Sequence, residues 1–115
     1  MGNQAFKQEN RGEQISFEVI AQNNVENLRK LLSKNPELVC AKQAGYTPLG
    51  SAAKEGFNEI IELLLSFNAD IESGHDSSGS SPLLLGIQRN HSTTCTILLR
   101  AGANSNSVNR KGFNI

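Results

Sequence analysis

The sequence predicts an all-α repeat solenoid, in which similar helix-turn-helix units stack on one another. The main evidence for this prediction is that residues 34 positions apart match in type. Gly45 matches Gly79, Pro48 matches Pro82, and Leu63-Leu64-Leu65 matches Ile97-Leu98-Leu99. In addition, apolar residues recur at helical spacings, and proline or glycine marks the ends of the apolar stretches. A fixed period of roughly 20–50 residues is typical of stacked repeat architectures.

Length and composition favour one small domain and disfavour several classes of partner. The 115 residues include 11 basic and 11 acidic side chains, and this balance disfavours nucleic acid and acidic membranes. Aromatic residues make up only 5% of the chain, so there is little material for stacking on bases. No apolar run approaches the roughly 18–20 residues of a membrane span. Cys40 and Cys95 belong to no C-x-x-C pair and indicate reduced thiols. We therefore predict a cytoplasmic protein, with the nucleus as a further compartment.

The N-terminal part of the chain predicts a leader and a degenerate first unit. Residues 1–13 are a polar leader in this interpretation, and residues 14–44 are the unit. Two apolar stripes at helical spacing predict two helices, the first with Ile15, Phe17, Val19 and Ile20 and the second with Val25, Leu28, Leu31 and Leu32. Pro36 ends the second helix because it cannot continue the hydrogen-bond ladder. Residues 37–44 are then an extended or looped connection.

The second unit, residues 45–78, carries the clearest local signals. Thr47 is expected to cap a helix that begins at Pro48, where the missing N–H of proline costs nothing. Gly56 is expected to end this helix in a left-handed conformation. Asn58 is expected to cap the next helix, whose apolar face runs to Leu65.

The third unit, residues 79–111, repeats these signals with substitutions. Ser81-Pro82 takes the place of the threonine and proline, and Asn90 takes the place of the glycine at the left-handed position. A truncated fourth unit opens at residues 112–115. The third unit lacks the polar outer face that a terminal repeat needs. We therefore expect either a longer protein or a partner at this end.

Taken in chain order, these residues resemble the ankyrin repeat family. The pattern of that family is Gly, any residue, Thr, Pro, Leu, His, any residue, Ala, Ala, any two residues and Gly, followed by an apolar helix and then Gly-Ala-Asp. The likeness is close over 45–71, clear over 79–106 and weak over 14–44, so it covers most of the chain. Gly50 and Leu84 stand where the family has the histidine that bridges neighbouring loops, which predicts softer junctions. The resemblance implies short inner helices, longer outer helices and finger-like hairpin connections.

The resemblance also implies that a partner protein binds the concave side, at the loop tips and the open positions of the inner helices. Carried over position by position, the expected partner-binding residues are Tyr46, Ser51, Lys54, Asp76, Ser77, Leu85, Gln88, Arg89, Arg110, Lys111 and Phe113. Tyr46 and Phe113 are the aromatic anchors, because interface energy concentrates in such groups. The alternative for each residue is an ordinary solvated loop position.

Catalytic, cofactor and metal sites find little support in the sequence. His75, Asp76 and Ser77 adjoin in one loop, whereas a catalytic triad needs groups that converge from separate rigid elements. They offer no third or fourth metal ligand at recognised spacing, so a solvated loop is the preferred interpretation. His91 is expected to pack and hydrogen-bond within its turn, and Cys95 to act as a small hydrophobic residue.

The leading hypothesis is therefore a non-enzymatic protein–protein interaction module, such as a scaffold, adaptor or regulator. The alternative is the targeting or substrate-recognition domain of a larger enzyme or effector, whose catalytic part lies beyond residue 115. A third hypothesis is regulation by phosphorylation of Ser77, Ser78, Ser80 and Ser81.

Overall fold

A computed structural model of the protein describes residues 17–75 and 78–105. These residues contain a helical segment over 17–21 (α1) and five further α-helices, α2 (Val25–Lys34), α3 (Pro48–Glu55), α4 (Asn58–Ser66), α5 (Pro82–Gln88) and α6 (Ser92–Arg100). The leader, the fourth unit and the site residues Asp76, Ser77, Arg110, Lys111 and Phe113 lie outside the described residues.

The helices form two layers. The short helices α3 and α5 pack side by side, and the longer helices α2, α4 and α6 pack in a second row. Each short helix also packs against the longer helix that follows it, α3 on α4 and α5 on α6. We call these the inner and outer layers. The all-α repeat stack is thereby confirmed, with helix lengths that match the expected short inner and long outer helices.

The core lies between the layers and runs continuously from unit to unit. Its largest fully buried apolar side chains come from both layers and from all three units, namely Ile20, Leu28, Leu32, Leu49, Ile60, Ile61, Leu64, Leu83, Leu84 and Leu98. Each unit therefore buries its apolar face against its neighbours, as expected for a linear stack.

Most of the local signals act as the sequence predicts. The hydroxyl of Thr47 accepts a hydrogen bond from the Gly50 N–H at 3.0 Å, and that of Ser81 accepts one from the Leu84 N–H at 3.1 Å. Pro48 and Pro82 are the first residues of their helices. Gly56 has a φ of 78° and Asn90 a φ of 65°, so both take the predicted left-handed conformation.

Two local predictions are wrong. Phe57, not Asn58, stands at the N-cap of α4 and makes no side-chain cap; Asn58 is the first helical residue. Its Oδ1 instead accepts a hydrogen bond from the Thr94 hydroxyl of the next unit at 2.5 Å. The connection after Pro36 is not simply extended, because Pro36–Cys40 forms a 3₁₀ helix.

The fingers pair edge to edge. The first finger is the connection that leads into α3, in which Gln43 and Tyr46 exchange backbone hydrogen bonds of 3.0 Å. The second finger is the connection that leads into α5 and contains His75 and Ser80. Tyr46 forms an isolated antiparallel bridge with His75, and His75 forms another with Ser80. These pairings connect the two described fingers in one continuous edge.

The junction that lacks the family histidine is closed by a threonine and two glycines. The Thr47 hydroxyl donates to the Ser73 carbonyl at 2.6 Å, and the Thr47 N–H donates to the Gly74 carbonyl at 2.9 Å. A Cβ on Gly50 would lie 2.5 Å from the Gly74 carbonyl oxygen. Gly50 therefore lets the next finger approach to a distance that no side chain at this position would allow.

Candidate functional site

The candidate surface consists of side chains of the inner helices and their fingers that are at least partly open to solvent. We call this the inner ridge and define it by Tyr46, Ser51, Lys54, His75, Gln88 and Arg89. Tyr46, Ser51, Lys54 and His75 are half-buried, whereas Gln88 and Arg89 are exposed. The ridge thus joins the first two fingers to the ends of α3 and α5.

A three-residue cluster lies at its centre. The rings of Tyr46 and His75 are 4.3 Å apart between centroids and inclined by 59°. The Lys54 ammonium lies 4.7 Å from the centroid of the Tyr46 ring, within the range of a cation–π interaction. Residues from a finger, an inner helix and the next finger therefore hold one another in place.

Hydrogen bonds from residues that follow in the chain support this cluster. The Nδ1 atom of His75 lies 3.1 Å from the Ser78 hydroxyl, which in turn donates to the Ser80 hydroxyl at 2.9 Å. On the Lys54 side, His91 Nε2 lies 3.0 Å from the Lys54 carbonyl oxygen. The backbone of Lys54 and the ring of His75 are thus both fixed by residues that follow them in the stack.

The position of His91 corrects a prediction. Its side-chain hydrogen bond reaches back to Lys54 in the preceding unit instead of closing its own turn. The reason is the left-handed Gly56, which leaves space for the imidazole because it has no Cβ. His91 therefore performs, at the end of the inner helix, a bridging role between units.

The structure brings together only some of the predicted binding residues. Tyr46 and Lys54 are in contact, Ser51 is half-buried on α3, and Gln88 and Arg89 are exposed at the end of α5. Leu85 is not part of this surface, because its side chain is only 5% exposed and belongs to the hydrophobic core. Its apolar surface is used to hold the stack together, so Leu85 is not open to a partner in this structure.

His75 is the residue that sequence reasoning missed. It is not a solvated loop residue: it is half-buried and packs on Tyr46. The available signal was topological. His75 opens the finger whose other arm carries Ser80, and edge-to-edge pairing of neighbouring fingers places it opposite Tyr46. No pattern of adjacent residues reveals that contact.

Metal ligands and cysteine thiols are the remaining candidate groups among the described residues. No group of three or more His, Cys, Asp or Glu side chains in residues 17–75 and 78–105 is placed to hold a metal ion. Cys95 is half-buried against the core, and this burial raises the pKa of its thiol. Burial thus favours the protonated thiol, which fits a small hydrophobic residue. Within the same ranges, no helix has both the length and the apolar character needed to cross a bilayer.

Comparison with known proteins gives consistent results. A family model described as ankyrin repeats in three copies matches residues 17–109. An ankyrin repeat protein of Fowlpox virus (strain NVSL) is 30% identical over 79% of this chain and 27% of its own length. The human ankyrin repeat and KH domain-containing protein 1 is 32% identical over 79% of this chain but only 4% of its own length.

A third relative is the mouse B-cell lymphoma 3 protein homolog, which is 35% identical over 65% of this chain and 17% of its own length. The chain therefore spans about a quarter or less of these relatives. The stacked helix pairs, the caps and the match over residues 17–109 all lead to one assignment. The chain belongs to the ankyrin repeat family.

Proposed function

We propose that this protein is a non-catalytic interaction module that binds a partner protein along the inner ridge. The observation that carries the proposal is the cluster of Tyr46, Lys54 and His75. It presents a half-buried aromatic ring whose position is fixed by a cation and a second ring. Aromatic residues in such settings are frequent sources of binding energy, because little side-chain freedom is lost when a partner arrives.

In the second unit, the residues that hold the stack together are distinct from those of the inner ridge, and this supports the assignment. The residues that define the repeat, Thr47, Pro48, Leu49, Ala52 and Ala53, are buried and hold the stack together. By contrast, Ser51 between them, and Tyr46 and Lys54 on either side of them in the chain, are half-buried and belong to the inner ridge. Ankyrin repeats generally mediate protein–protein interactions, and a surface built apart from the scaffold residues suits that role.

A paired affinity experiment tests the proposal. The wild-type chain, Tyr46→Ala and Glu62→Ala are each used to capture proteins from cells that produce the chain naturally, with quantitative mass spectrometry. Glu62 is exposed on the outer helix α4 and serves as the control. We expect a set of proteins that Glu62→Ala retains and Tyr46→Ala loses by at least about fivefold, or about 1 kcal/mol. Equal loss with both variants, or loss with Glu62→Ala alone, would contradict the proposal.

We propose Phe113 as a second aromatic anchor in an extension of the binding surface beyond the inner ridge, with Arg110 and Lys111 beside it in the chain. Asp76 and Ser77 are likewise kept as finger-tip contacts. Phe113→Ala in the same experiment tests this extension independently of Tyr46. Unchanged capture would restrict the binding surface to the first two fingers.

The second candidate function is the recognition domain of a larger enzyme or effector. It is favoured by the relatives, of which this chain spans only 27%, 4% and 17%. Reading the open reading frame beyond Ile115 tests it directly. A catalytic domain encoded there would support this candidate, and a stop codon would exclude it.

The proposed compartment is the cytoplasm, with the nucleus as an alternative. Cys40 and Cys95 are both free thiols, as expected in a reducing environment. Fluorescence microscopy of the tagged chain in its source cell, with fractionation as a second readout, tests this assignment.

A further inference from the structure

Four non-glycine residues in the described part of the chain have a positive φ. All four are exposed, and three of them are asparagine, namely Asn23 at 57°, Asn68 at 68° and Asn90 at 65°. The fourth is Ala44, with a φ of 54°. Asparagine tolerates this left-handed region because its short polar side chain can hydrogen-bond locally, and alanine has no such group. At Ala44 alone among these four, the residue type conflicts with the backbone conformation.

Ala44 and Gly45 are the two central residues of the first finger. Gln43 and Tyr46 on either side exchange two backbone hydrogen bonds of 3.0 Å, and the central residues have φ values of 54° and 84°. A two-residue hairpin turn with positive φ at both positions is of type I′, for which Asn-Gly, Asp-Gly and Gly-Gly are the preferred sequences. Because the chain has Ala-Gly instead, asparagine at position 44 should make the turn more stable.

The packing of the chain does not account for this alanine. Ala44 is exposed, whereas Ala41 in the same finger packs against the hydrophobic core. At the neighbouring Gly45 the fold does set a limit, since a Cβ there would lie 3.1 Å from Nε2 of His75. The methyl group of Ala44 instead faces the surroundings of the protein, where a longer side chain would be solvated.

The turn lies beside the residues that we propose to bind the partner. Tyr46 follows Ala44 by two positions, and its backbone pairing with Gln43 holds the turn in place. The ring of Tyr46 contacts Lys54 and His75. A strained residue beside a candidate binding site is an indication of function, because residues at such sites are selected for more than stability.

We infer that the tip of the first finger closely contacts an apolar side chain of the partner protein, and that Ala44 determines specificity because only a methyl group fits there. This inference rests on the proposed function and adds the fingertip to the binding surface. Ala44 and Gly45 carry no charge and no polar side-chain atom, so their side of the contact suits an apolar group. A longer side chain at position 44 would hold the two proteins apart.

Ala44→Asn tests the inference, because it should change stability and affinity in opposite directions. We expect the midpoint of thermal unfolding to rise by about 3 °C, since asparagine relieves the strain in the turn. For the affinity, a protein whose capture from source cells depends on Tyr46 is produced in isolation and titrated by calorimetry. We expect Ala44→Asn to raise the Kd of this protein at least about fivefold.

Two further variants separate side-chain size from backbone strain and from stability. Ala44→Gly relieves the strain and adds no atoms, so we expect the loss of the methyl contact alone, about a twofold rise in Kd. Asn68→Ala makes the reverse change at an exposed left-handed residue after the outer helix α4. It should lower the unfolding midpoint by about 3 °C and change Kd by less than about twofold.

The outcomes separate this inference from the proposed function. An unchanged Kd with Ala44→Asn would overturn the inference, whereas binding that is lost with Tyr46→Ala would still support the inner ridge. An equal rise in Kd with Ala44→Gly and Ala44→Asn would overturn it as well, because the conformation of the turn would then set the affinity. A lowered unfolding midpoint with Ala44→Asn would also count against it, since damage to the turn would explain weaker binding. If no captured protein depends on Tyr46, both proposals are contradicted.

Discussion

Gly56 shows how one residue joins two repeat units. Its φ of 78° ends α3 in the left-handed conformation that glycine adopts most readily. A Cβ at this position would lie 2.8 Å from Nδ1 of His91. That same imidazole places Nε2 against the Lys54 carbonyl oxygen. The absence of a side chain at Gly56 therefore serves both the helix end and the contact between units.

Replacing Gly56 with alanine should destabilise the stack for both reasons. The left-handed backbone costs a non-glycine residue about 1–2 kcal/mol. Displacing His91 removes a further hydrogen bond, worth about 1 kcal/mol. We expect Gly56→Ala to lower the free energy of unfolding by about 2–3 kcal/mol in urea titrations followed by circular dichroism.

Gly102→Ala is the matched control for this substitution. Gly102 also has a positive φ, of 106°, but nothing lies within 4 Å of a Cβ added there. Only the backbone cost should appear, about 1–2 kcal/mol. If Gly102→Ala were as destabilising as Gly56→Ala, the contact with His91 would contribute nothing measurable.

At the scale of elements, Thr47 connects the start of a helix to the next finger. Its side-chain oxygen accepts from the Gly50 N–H and its hydroxyl donates to the Ser73 carbonyl. The residue is 4% exposed, so neither partner is readily replaced by water. One side chain thus caps α3 and closes the junction that lacks the family histidine.

Thr47→Ala should therefore cost more than an ordinary cap. Loss of an N-cap costs about 1 kcal/mol, and an unsatisfied, partly buried carbonyl adds about 1 kcal/mol. We expect the free energy of unfolding to fall by about 2 kcal/mol in the same urea titration.

Thr47→Ser keeps the hydroxyl and serves as the control. It should lose less than half as much stability as Thr47→Ala. Equal losses for the two variants would show that the methyl group, and not the hydroxyl, stabilises this junction.

Helix ends were predictable from the sequence wherever the partner is local. The caps at Thr47 and Ser81 and the left-handed turn at Gly56 each form within one turn, so residue type and spacing are sufficient to predict them. Asn58 and His91 were assigned wrongly because their partners, Thr94 and Lys54, are 36 and 37 residues away. Nothing in the neighbouring sequence separates an asparagine that caps a helix from one that bridges two units.

At the scale of the whole molecule, the repeat period shows which positions of neighbouring units are equivalent. It does not determine which of their side chains are exposed to solvent. Ser51 and Leu85 occupy equivalent positions one period apart, yet Ser51 is half-buried and Leu85 is 5% exposed. The leucine is drawn into the core because its apolar surface is stabilised there. The cluster of Tyr46 with His75 needed the pairing of two fingers, which only the assembled stack provides.

The inner ridge and the outer helix α4 expose different kinds of side chain. The ridge combines the Tyr46 cluster with exposed Gln88 and Arg89, whereas α4 presents Glu59 and Glu62. Interface energy concentrates in aromatic and arginine anchors. A partner should therefore contact the ridge closely and leave α4 open to solvent.

Photo-crosslinking tests this claim most directly. A benzophenone amino acid is placed at Gln88 on the ridge, or at Glu62 on α4 as the control, and the source cells are irradiated. Both positions are exposed, so either substitution leaves the core intact. We predict a defined protein adduct with the probe at Gln88 and none above background at Glu62. An adduct that forms at Glu62 and not at Gln88 would contradict binding along the inner ridge.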